Sequence, residues 1–564
     1  MENRIIQAQM TAFLNSQQIE EKDPSKQFEM FASYCAVGQH YSDLYEISDI
    51  IVGKGGDCGI DSIAIIVNGK IITSQEEIDD IKKFYEIKFI FVQAKSSSNF
   101  DYGEIGTFGA GVKDFFSEKP QMDRNEQIKE KSSIVKYILD KATDFEKNPV
   151  CYLYYISTGK WVDDQNCTAR INTAKKDLDN LSYFSQVEYE PVDADLLQKF
   201  YRNTTDNIET EINFKEKVSL PDIDNVKQSY LGFVDYNEYL KLITGENGEI
   251  RKSVFYDNVR DYQGENEVNQ EIAETINNNT NKFVLFNNGV TVICKNIQPT
   301  GNKVILKNYQ IVNGCQTSHV LFNNKEKVTN KSDLQIPIKI IETEDSETVN
   351  QIIKATNRQT QVKDEQLIAL NNEFHRQLED FYKTFEGVGR LYYERRSQQY
   401  NYDTDIEKVR IVSIDKQIKS VASMFYDKPH IASRYYGTLL KDTSIKAFDN
   451  QHKLLPYYTA AYTLYKLEYL FRNKIVPSLY RKFRFHILMM LKYRLVGSNV
   501  PQMNENRMDK ICKTILDTVN DENKFRAVVK EMTSLINDKC DINSTEITKQ
   551  GSLVEDLKIV SINK

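Results

Sequence analysis

Short apolar runs alternate with helical patterns over residues 1–192, and this alternation restricts the fold more than any other feature of the sequence. Three of the runs, 63–67, 89–95 and 150–156, have the length and the β-branched or aromatic content of buried strands. The first run is followed by Asn68-Gly69 and a second β-branched run, which is a strong signal for a hairpin. Strands that alternate with helices form a sheet with helices packed on it. We therefore predict an α/β/α domain over residues 1–192.

The remaining sequence divides by composition into three further parts. A chain of 564 residues is too long for a single hydrophobic core, so several domains are expected. A polar, Asn-rich stretch predicts a linker over residues 193–225. Residues 226–399 mix strand patterns, among them 283–286, with helical ones and predict an α+β region. Residues 400–564 have mainly helical periodicity, so the whole sequence predicts an α/β multidomain protein.

Composition excludes several classes of protein. The net charge of −8 argues against a polycation that coats nucleic acid, but it is compatible with a local basic groove. No apolar run is long enough to span a bilayer, and the N-terminus lacks the apolar stretch of a signal peptide. We therefore expect a cytoplasmic protein without a membrane partner. Eight dispersed cysteines without a Cys-x-x-Cys pair predict neither a disulfide framework nor a structural zinc site.

The helical C-terminal region contains one locally basic segment, at 477–495. Its basic residues are Arg481, Lys482, Arg484, Lys492 and Arg494. Such a segment is usually a solvated helix face, and contact with nucleic acid is the less common alternative. The size of the helical region also leads us to expect a homodimer.

Four residues of the N-terminal domain have the chemistry of a metal-dependent hydrolase. Asp61 lies where a Gly-rich turn enters the first strand, and Gln93 and Lys95 lie two residues apart on a later strand, so both project from one face. Asp61 and the Gln93 carbonyl oxygen would bind Mg²⁺ or Mn²⁺, since these ions prefer hard oxygen ligands. Lys95 would orient the attacking water and stabilise charge on a phosphate. Glu29, within the apolar stretch of a predicted helix, would complete the acidic cluster.

Each of these residues also has a structural interpretation. A single Asp after a glycine turn, or a single Gln-x-Lys on a strand, is usually part of a solvated edge. Asp57 is an alternative ligand, although an acidic turn residue more often adopts an Asx conformation. The order of helix acid, Gly-Ile-Asp, hairpin and strand Gln-Ala-Lys favours the catalytic interpretation.

The same stretches resemble the PD-(D/E)xK nuclease superfamily, and in particular its Mrr-like members that use Gln-x-Lys. The resemblance covers residues 1–160 and is carried by Gly59-Ile60-Asp61 and Val92-Gln93-Ala94-Lys95, preceded by Glu29. It implies a restriction-endonuclease-like α/β/α fold and a metal-dependent endonuclease. Gln93 stands where the superfamily usually has an acidic residue, so the metal site has one negative charge fewer.

The central region contains four dense polar clusters, at 258–261, 286–291, 310–317 and 392–396. In this order the clusters resemble the AIPR family, the abortive phage infection proteins of bacteria. The resemblance runs over 254–396 and continues more weakly to about Ser433. It implies a central AIPR region in a phage-defence protein.

One of these clusters also predicts a binding site. Residues 311–317 combine a strand, a tight turn and a helix start, and exposed backbone N–H groups at a helix start suit an anion. A nucleotide, nucleic-acid or anion site would then include Arg260, Asn288, Asn313, Gly314, Gln316, Thr317, Arg395 and Arg396. A buried structural polar network explains the same residues equally well.

These features together predict an antiviral, abortive-infection protein with metal-dependent DNA endonuclease activity that is gated by the central AIPR region. Double-stranded DNA and a nucleotide or phage-derived activator are the expected partners. Two alternatives stay open. One is a non-catalytic protein that binds nucleic acid and recruits partners, which the amide at Gln93 would suit. The other is an RNase toxin on the same scaffold.

Overall fold

The computed structural model divides the chain into two compact units. It describes residues 3–53, 55–79, 81–205, 208–245, 248, 250–251, 254–255, 267–326, 328, 334–357, 373–395, 399–400, 403, 405–432, 439, 445–542, 544 and 547–562. The first unit comprises Met1–Thr205, Glu373–Arg395 and Asp403–Lys564, and the second comprises Asp206–Asn372 and Arg396–Tyr402. The N-terminal domain and the helical C-terminal region therefore belong to one unit.

The N-terminal part of the first unit is a five-stranded sheet with helices on both faces. The strand order is β2-β1-β3-β4-β5; β1 is antiparallel to both neighbours, and β3, β4 and β5 are parallel. The strands are β1 (Ser62–Val67), β2 (Lys70–Ile71), β3 (Ile87–Lys95), β4 (Val150–Ser157) and β5 (Gln186–Val192). The helices are α1 (Arg4–Ser16), α2 (Pro24–Val37), α3 (Glu76–Asp79), α4 (Tyr102–Phe115), α5 (Glu126–Leu139), α6 (Gln165–Asp179) and α7 (Ala194–Thr205).

The two faces of this sheet enter separate hydrophobic cores, because successive side chains of a strand point to opposite faces. Phe89 and Phe91 pack with residues of α4, α5 and α6, whereas Ile90 and Val92 pack with residues of α1, α2 and α7. The order of layers is α/β/α, in agreement with the sequence analysis. A specific relation to restriction endonucleases stays a prediction.

Local sequence signals explain the elements that hold the candidate site. Helix α2 begins as predicted at Pro24, after Asp23, whose side chain accepts a hydrogen bond from the Ser25 amide. Strands β1 and β2 form the predicted hairpin. Its loop residues Asn68 and Gly69 have φ values of 49° and 78°, as a two-residue loop of this kind requires.

The second unit is built on a six-stranded mixed sheet with its own core. The strand order is β6-β10-β9-β11-β8-β7, in which β9 and β11 are parallel and the other pairs antiparallel. The strands are β6 (Glu209–Asn213), β7 (Glu216–Ser219), β8 (Gln228–Asp235), β9 (Val290–Thr300), β10 (Lys303–Asn313) and β11 (Gln335–Glu342). The helices are α8 (Tyr236–Ile243), α9 (Glu267–Asn278), α10 (Phe283–Phe286), α11 (Cys315–Asn323) and α12 (Ser346–Asn357).

Two sequence predictions for this part of the chain differ from the structure. Residues 283–286, predicted as a strand, form the single-turn helix α10. A run of four apolar residues is too short to show the periodicity that distinguishes a helix from a strand. Residues 193–225, for which the composition predicts a linker, contain α7, β6 and β7.

The C-terminal part of the first unit is mainly helical, as predicted, and its helices share one core. The helices are α13 (Glu373–Lys383), α14 (Ile414–Phe425), α15 (Leu455–Arg472), α16 (Arg484–Val496), α17 (Arg507–Asn520), α18 (Glu522–Lys539) and α19 (Gly551–Ile562). Two short parallel strands, β12 (Tyr392–Glu394) and β13 (Ile411–Ser413), complete this part. Within the described residues, no helix combines the length and apolar character that crossing a bilayer requires.

The basic segment of the helical region differs from a solvated face. The Arg481 guanidinium forms ion pairs with Asp49 and Glu468, and its side chain is 12% exposed. The Lys492 side chain is 2% exposed and pairs with Asp427 at 2.6 Å. The prediction of a solvated basic face is therefore wrong for Arg481 and Lys492, which neutralise acidic side chains inside the unit.

Candidate metal centre

Asp61 lies immediately before β1, where hydrogen bonds hold it from two sides. Its amide donates to the Val92 carbonyl oxygen at 2.9 Å, and its carbonyl oxygen accepts from the amides of Val52 and Gly53 at 2.9 and 3.0 Å. The carboxylate Oδ2 accepts the Ala94 amide at 2.8 Å. Since Ser62 pairs with Val92 in the antiparallel register, Asp61 lies beside Gln93.

Glu29 approaches Asp61 from α2, which packs on one face of the sheet. The Glu29 side chain is buried. A Cβ added to Gly53 would lie 3.1 Å from Asp61 Oδ1 and 3.4 Å from Glu29 Oε2. The two carboxylates therefore border the same small space, which a residue without a side chain leaves open.

Gln93 adds a buried amide oxygen without a protein partner. Its side chain is 5% exposed, and its Oε1 accepts no hydrogen bond from the described residues. A buried carbonyl oxygen without a partner is costly, and a ligand from outside the chain would satisfy it. Carboxylate and amide oxygens suit Mg²⁺ or Mn²⁺, and the residues present therefore fit a divalent cation.

The centre has two carboxylates rather than three. Among the described residues, no group of three or more histidine, cysteine, aspartate and glutamate side chains lies close enough to hold a metal ion. A third oxygen ligand would have to come from the amide of Gln93. Asp57, the alternative ligand, accepts the Gly59 amide through Oδ1 at 2.9 Å, which is the Asx conformation expected of a turn residue.

Lys95 lies at the partly exposed end of β3, two residues after Gln93. Its ammonium is 3.6 Å from Glu104 Oε1 on α4, and Glu104 Oε2 accepts a 2.8 Å hydrogen bond from the Tyr155 hydroxyl. The Lys95 ammonium thus interacts with two carboxylates. It attracts the Asp61 carboxylate through its charge, and it pairs with Glu104, which Tyr155 of β4 holds. An ammonium in this place can donate to a phosphate oxygen that enters from solvent.

The Asp61 and Glu29 carboxylates give the centre an excess of negative charge. Burial, reinforced by the nearby Glu29 carboxylate, raises the pKa of Asp61 to about 7. Lys26, one turn before Glu29 on α2, forms an ion pair with Glu29 Oε2 at 2.7 Å. Although burial lowers the pKa of Lys26, the hydrogen bond and charge of Glu29 raise it overall. The centre therefore attracts cations.

Sequence reasoning missed Lys26, Gly53 and Glu104. Lys26 has a local signal, since a residue three positions before Glu29 lies on the same helix face. Gly53 and Glu104 have none, because their proximity to Asp61 and Lys95 arises only when the turn and α4 pack against the sheet.

In the second unit, the predicted binding residues surround the start of α11. Gly314 precedes this helix with a φ of 101°, a left-handed backbone that favours glycine, and Asn288 is exposed. The remaining side chains form hydrogen bonds within the unit: Asn313 to the Thr356 carbonyl (2.8 Å), Asn269 to Gln316 (3.0 Å) and Asn287 to Thr317 (3.2 Å). These bonds favour the polar-network interpretation, and the anion site stays a prediction.

The three predicted arginines do not reinforce that site. Arg260 and Arg396 lie outside the described residues. Arg395 belongs to the first unit, where its buried guanidinium pairs with Glu379 Oε2 at 2.5 Å. Its charge already neutralises a buried carboxylate.

Comparison with known proteins finds one family. A family model described as AIPR protein matches residues 255–544, just over half of the chain. The match continues well beyond Ser433, where the motif resemblance ends, and it includes most of the helical region. Neither a curated protein nor a solved structure matches the chain.

Proposed function

The chain belongs to the AIPR family, and on that premise we propose that it is an antiviral, abortive-infection protein whose N-terminal domain cleaves DNA with the help of Mg²⁺ or Mn²⁺. Family membership suggests the defence role. The nuclease activity rests on the centre formed by Asp61, Glu29, Gln93 and Lys95.

One observation carries the proposal: the carboxylates of Asp61 and Glu29 border one space, and Asp61 is difficult to ionise. Gln93, opposite Asp61 in the strand register, adds a buried side-chain oxygen without a partner among the described residues. A folded protein gains nothing from such a cluster unless something else neutralises it. Every residue of β3 before Gln93 is buried, so a solvated edge does not explain that oxygen.

The residues have separate tasks in the proposed reaction. A divalent cation, when bound, polarises a phosphate and lowers the pKa of water. Asp61 and Glu29 would hold it by charge, and Gln93 would hold it by its amide oxygen. Lys95 would donate to the phosphate and stabilise the negative charge that grows on its oxygens during attack. Glu104 keeps the Lys95 ammonium at the partly exposed end of β3.

We further propose that the AIPR region controls when this domain cleaves. The family match excludes the N-terminal domain and includes most of the rest of the chain. The central clusters contain amides, glycines and a helix start, but no pair of nucleophile and base or of carboxylates. Such a region is better suited to binding than to a second reaction.

The deciding experiment incubates the full chain with Mg²⁺ or Mn²⁺ and plasmid DNA, single-stranded DNA or RNA. We expect cleavage of double-stranded DNA that chelation abolishes and that Asp61→Asn and Lys95→Met lack. The matched control is Asp177→Asn, a partly exposed acidic residue that pairs with Lys113 on the same domain, and it should cleave like the parent. Cleavage of RNA alone would replace the proposed substrate, and binding without cleavage in every arm would replace the enzyme by a nucleic-acid-binding protein.

A further inference from the structure

A segment from Glu46 to Gly53, here called the strap, connects the candidate metal centre to the helical C-terminal region. Its first part is a single 3-10 turn, Ile47–Asp49. Its second part runs beside the start of β1: the Ile63 amide donates to the Ile50 carbonyl at 2.8 Å, and Ile51 pairs with Ser62. The strap ends where the amides of Val52 and Gly53 hold the Asp61 carbonyl oxygen.

Helices from the other end of the chain anchor the first part of the strap. Glu46 Oε2 accepts from Arg472 Nη2 at 2.8 Å and Nε at 3.2 Å, and Lys416 lies 3.3 Å from Glu46 Oε1. Asp49 pairs with Arg481, which also pairs with Glu468 at 2.8 Å. The Arg472 side chain is only 2% exposed, so water cannot replace its interaction with Glu46.

The two anchors lie at both ends of one 3-10 turn, which makes the strap stiff. Arg472 holds this turn through two N–H donors to Glu46, and Arg481 holds it through one N–H donor to Asp49. The turn therefore cannot rotate without breaking buried charged hydrogen bonds. The far end of the strap is the wall of the space that Asp61 and Glu29 share, because Gly53 borders both carboxylates. A movement at Glu46 or Asp49 is therefore transmitted over a few residues to the backbone that holds Asp61.

We propose that Glu46 and Asp49 are positioning residues. Through them Arg472, at the end of α15, and Arg481, in the 3-10 helix Ser478–Phe483, set the place of Asp61 and so regulate the metal centre. The regulatory part rests on the proposed function. Both arginines lie within the residues matched by the AIPR family model, so the family region reaches the centre through its helices. Release of the strap loosens Asp61, and retention of the strap keeps it aligned with Gln93.

The test uses the full chain and two measurements. Amide hydrogen exchange of the peptide that contains Val52 and Gly53 reports the position of the strap, and calorimetric titration with Mn²⁺ reports the centre. The variants are Glu46→Gln and Asp49→Asn, which remove a charge but keep the shape of the side chain. Arg481→Lys serves if Asp49→Asn does not fold. The matched control is Glu76→Gln, another buried acidic residue of the domain, which pairs with Lys549 of the helical region.

We expect both strap variants to exchange the two amides faster and to bind Mn²⁺ roughly tenfold more weakly, as substitutions of groups that support metal ligands do. Glu76→Gln should leave both measurements unchanged. Unchanged exchange in the strap variants overturns the proposal, and so does faster exchange with unaltered Mn²⁺ binding. A parent chain that binds no Mn²⁺ refutes the proposed function instead, and the exchange data alone then decide whether the helices position Asp61.

Discussion

Two pairs of acidic side chains in the first unit are shielded from water, but the structure treats them in opposite ways. Glu46 and Asp49 each receive a buried guanidinium. Burial alone would raise the pKa of both carboxyls, yet the arginines hold both pKa values below their ordinary range. At Asp61, burial and the neighbouring carboxylate dominate and the pKa rises to about 7.

The difference separates a structural cluster of charge from the cluster proposed to be functional. An acid that has its cation inside the protein stabilises the fold in its ionised form. An acid without sufficient positive charge around it destabilises the fold when ionised, unless a cation arrives from solution. Lys26 supplies one partial counter-charge to the Glu29 and Asp61 pair, and the remaining negative charge is what a divalent ion would neutralise.

Neutralising one acid of each pair should give opposite changes in stability. Asp49→Asn removes a charged hydrogen bond from Arg481 and should lower the free energy of unfolding by about 1.5–3 kcal/mol. Asp61→Asn removes a charge that the fold opposes, so without metal at pH 8 it should be as stable as the parent or more stable. Urea unfolding of both variants checks this, and equal losses would contradict the distinction.

The pH should alter metal binding at one pair only. Because the pKa of Asp61 in the folded chain, about 7, exceeds its ordinary value of 3.8, the protonated form persists up to neutral pH. The protonation of Asp61 therefore contributes to the stability of the metal-free fold. This contribution is fully present below pH 3.8 and is lost as the pH rises through 7. Metal needs the ionised form, so its affinity should fall by up to about tenfold per pH unit below 7.

Mn²⁺ titration between pH 5.5 and 8.5 measures this dependence. Proton release on binding should be largest at acidic pH and should disappear in Asp61→Asn. An affinity that does not change with pH over this range would show that Asp61 is already ionised or is no ligand.

A carboxylate at position 93 should enlarge the difference between the two acidic pairs, because it adds negative charge beside Asp61. Gln93→Glu should reach half-maximal cleavage at several-fold lower Mg²⁺, since hard cations bind charged oxygens more tightly. Gln198→Glu is the control, because Gln198 is a buried glutamine of the same domain whose amide donates to the Ala194 carbonyl oxygen. If Gln93→Ala cleaves like the parent at limiting Mg²⁺, position 93 supplies no ligand.

The smallest effect is expected at Lys26. Its ammonium competes with a metal ion for Glu29, so Lys26→Gln should lower the half-saturating Mn²⁺ concentration by about twofold to fivefold, the range for a partly exposed ion pair. The exposed Lys22, just before α2, provides the control substitution Lys22→Gln. A higher Mn²⁺ requirement in Lys26→Gln would show that the ammonium supports the centre rather than competing with the ion.

Local patterns predicted what depends on neighbours in sequence. The Asn68-Gly69 hairpin, the start of α2 at Pro24 and the strand that ends in Gln93 and Lys95 all follow from spacing and capping. The apolar run 283–286 was too short for such an argument. No local pattern distinguishes Asp49 from Asp61, because what separates them is whether Arg481, far along the chain, packs nearby.

The anchors of the strap have a consequence for synthesis of the protein. Glu46 leaves the ribosome long before Arg472, because the two residues are 426 positions apart in the sequence. A nascent chain that already contains every residue of the candidate centre still lacks the guanidinium groups that hold Glu46 and Asp49. The strap gains its anchors only after Arg472 and Arg481 have been made, so on the proposed function a partly made chain attached to its own messenger would not yet have an aligned centre with which to damage the cell.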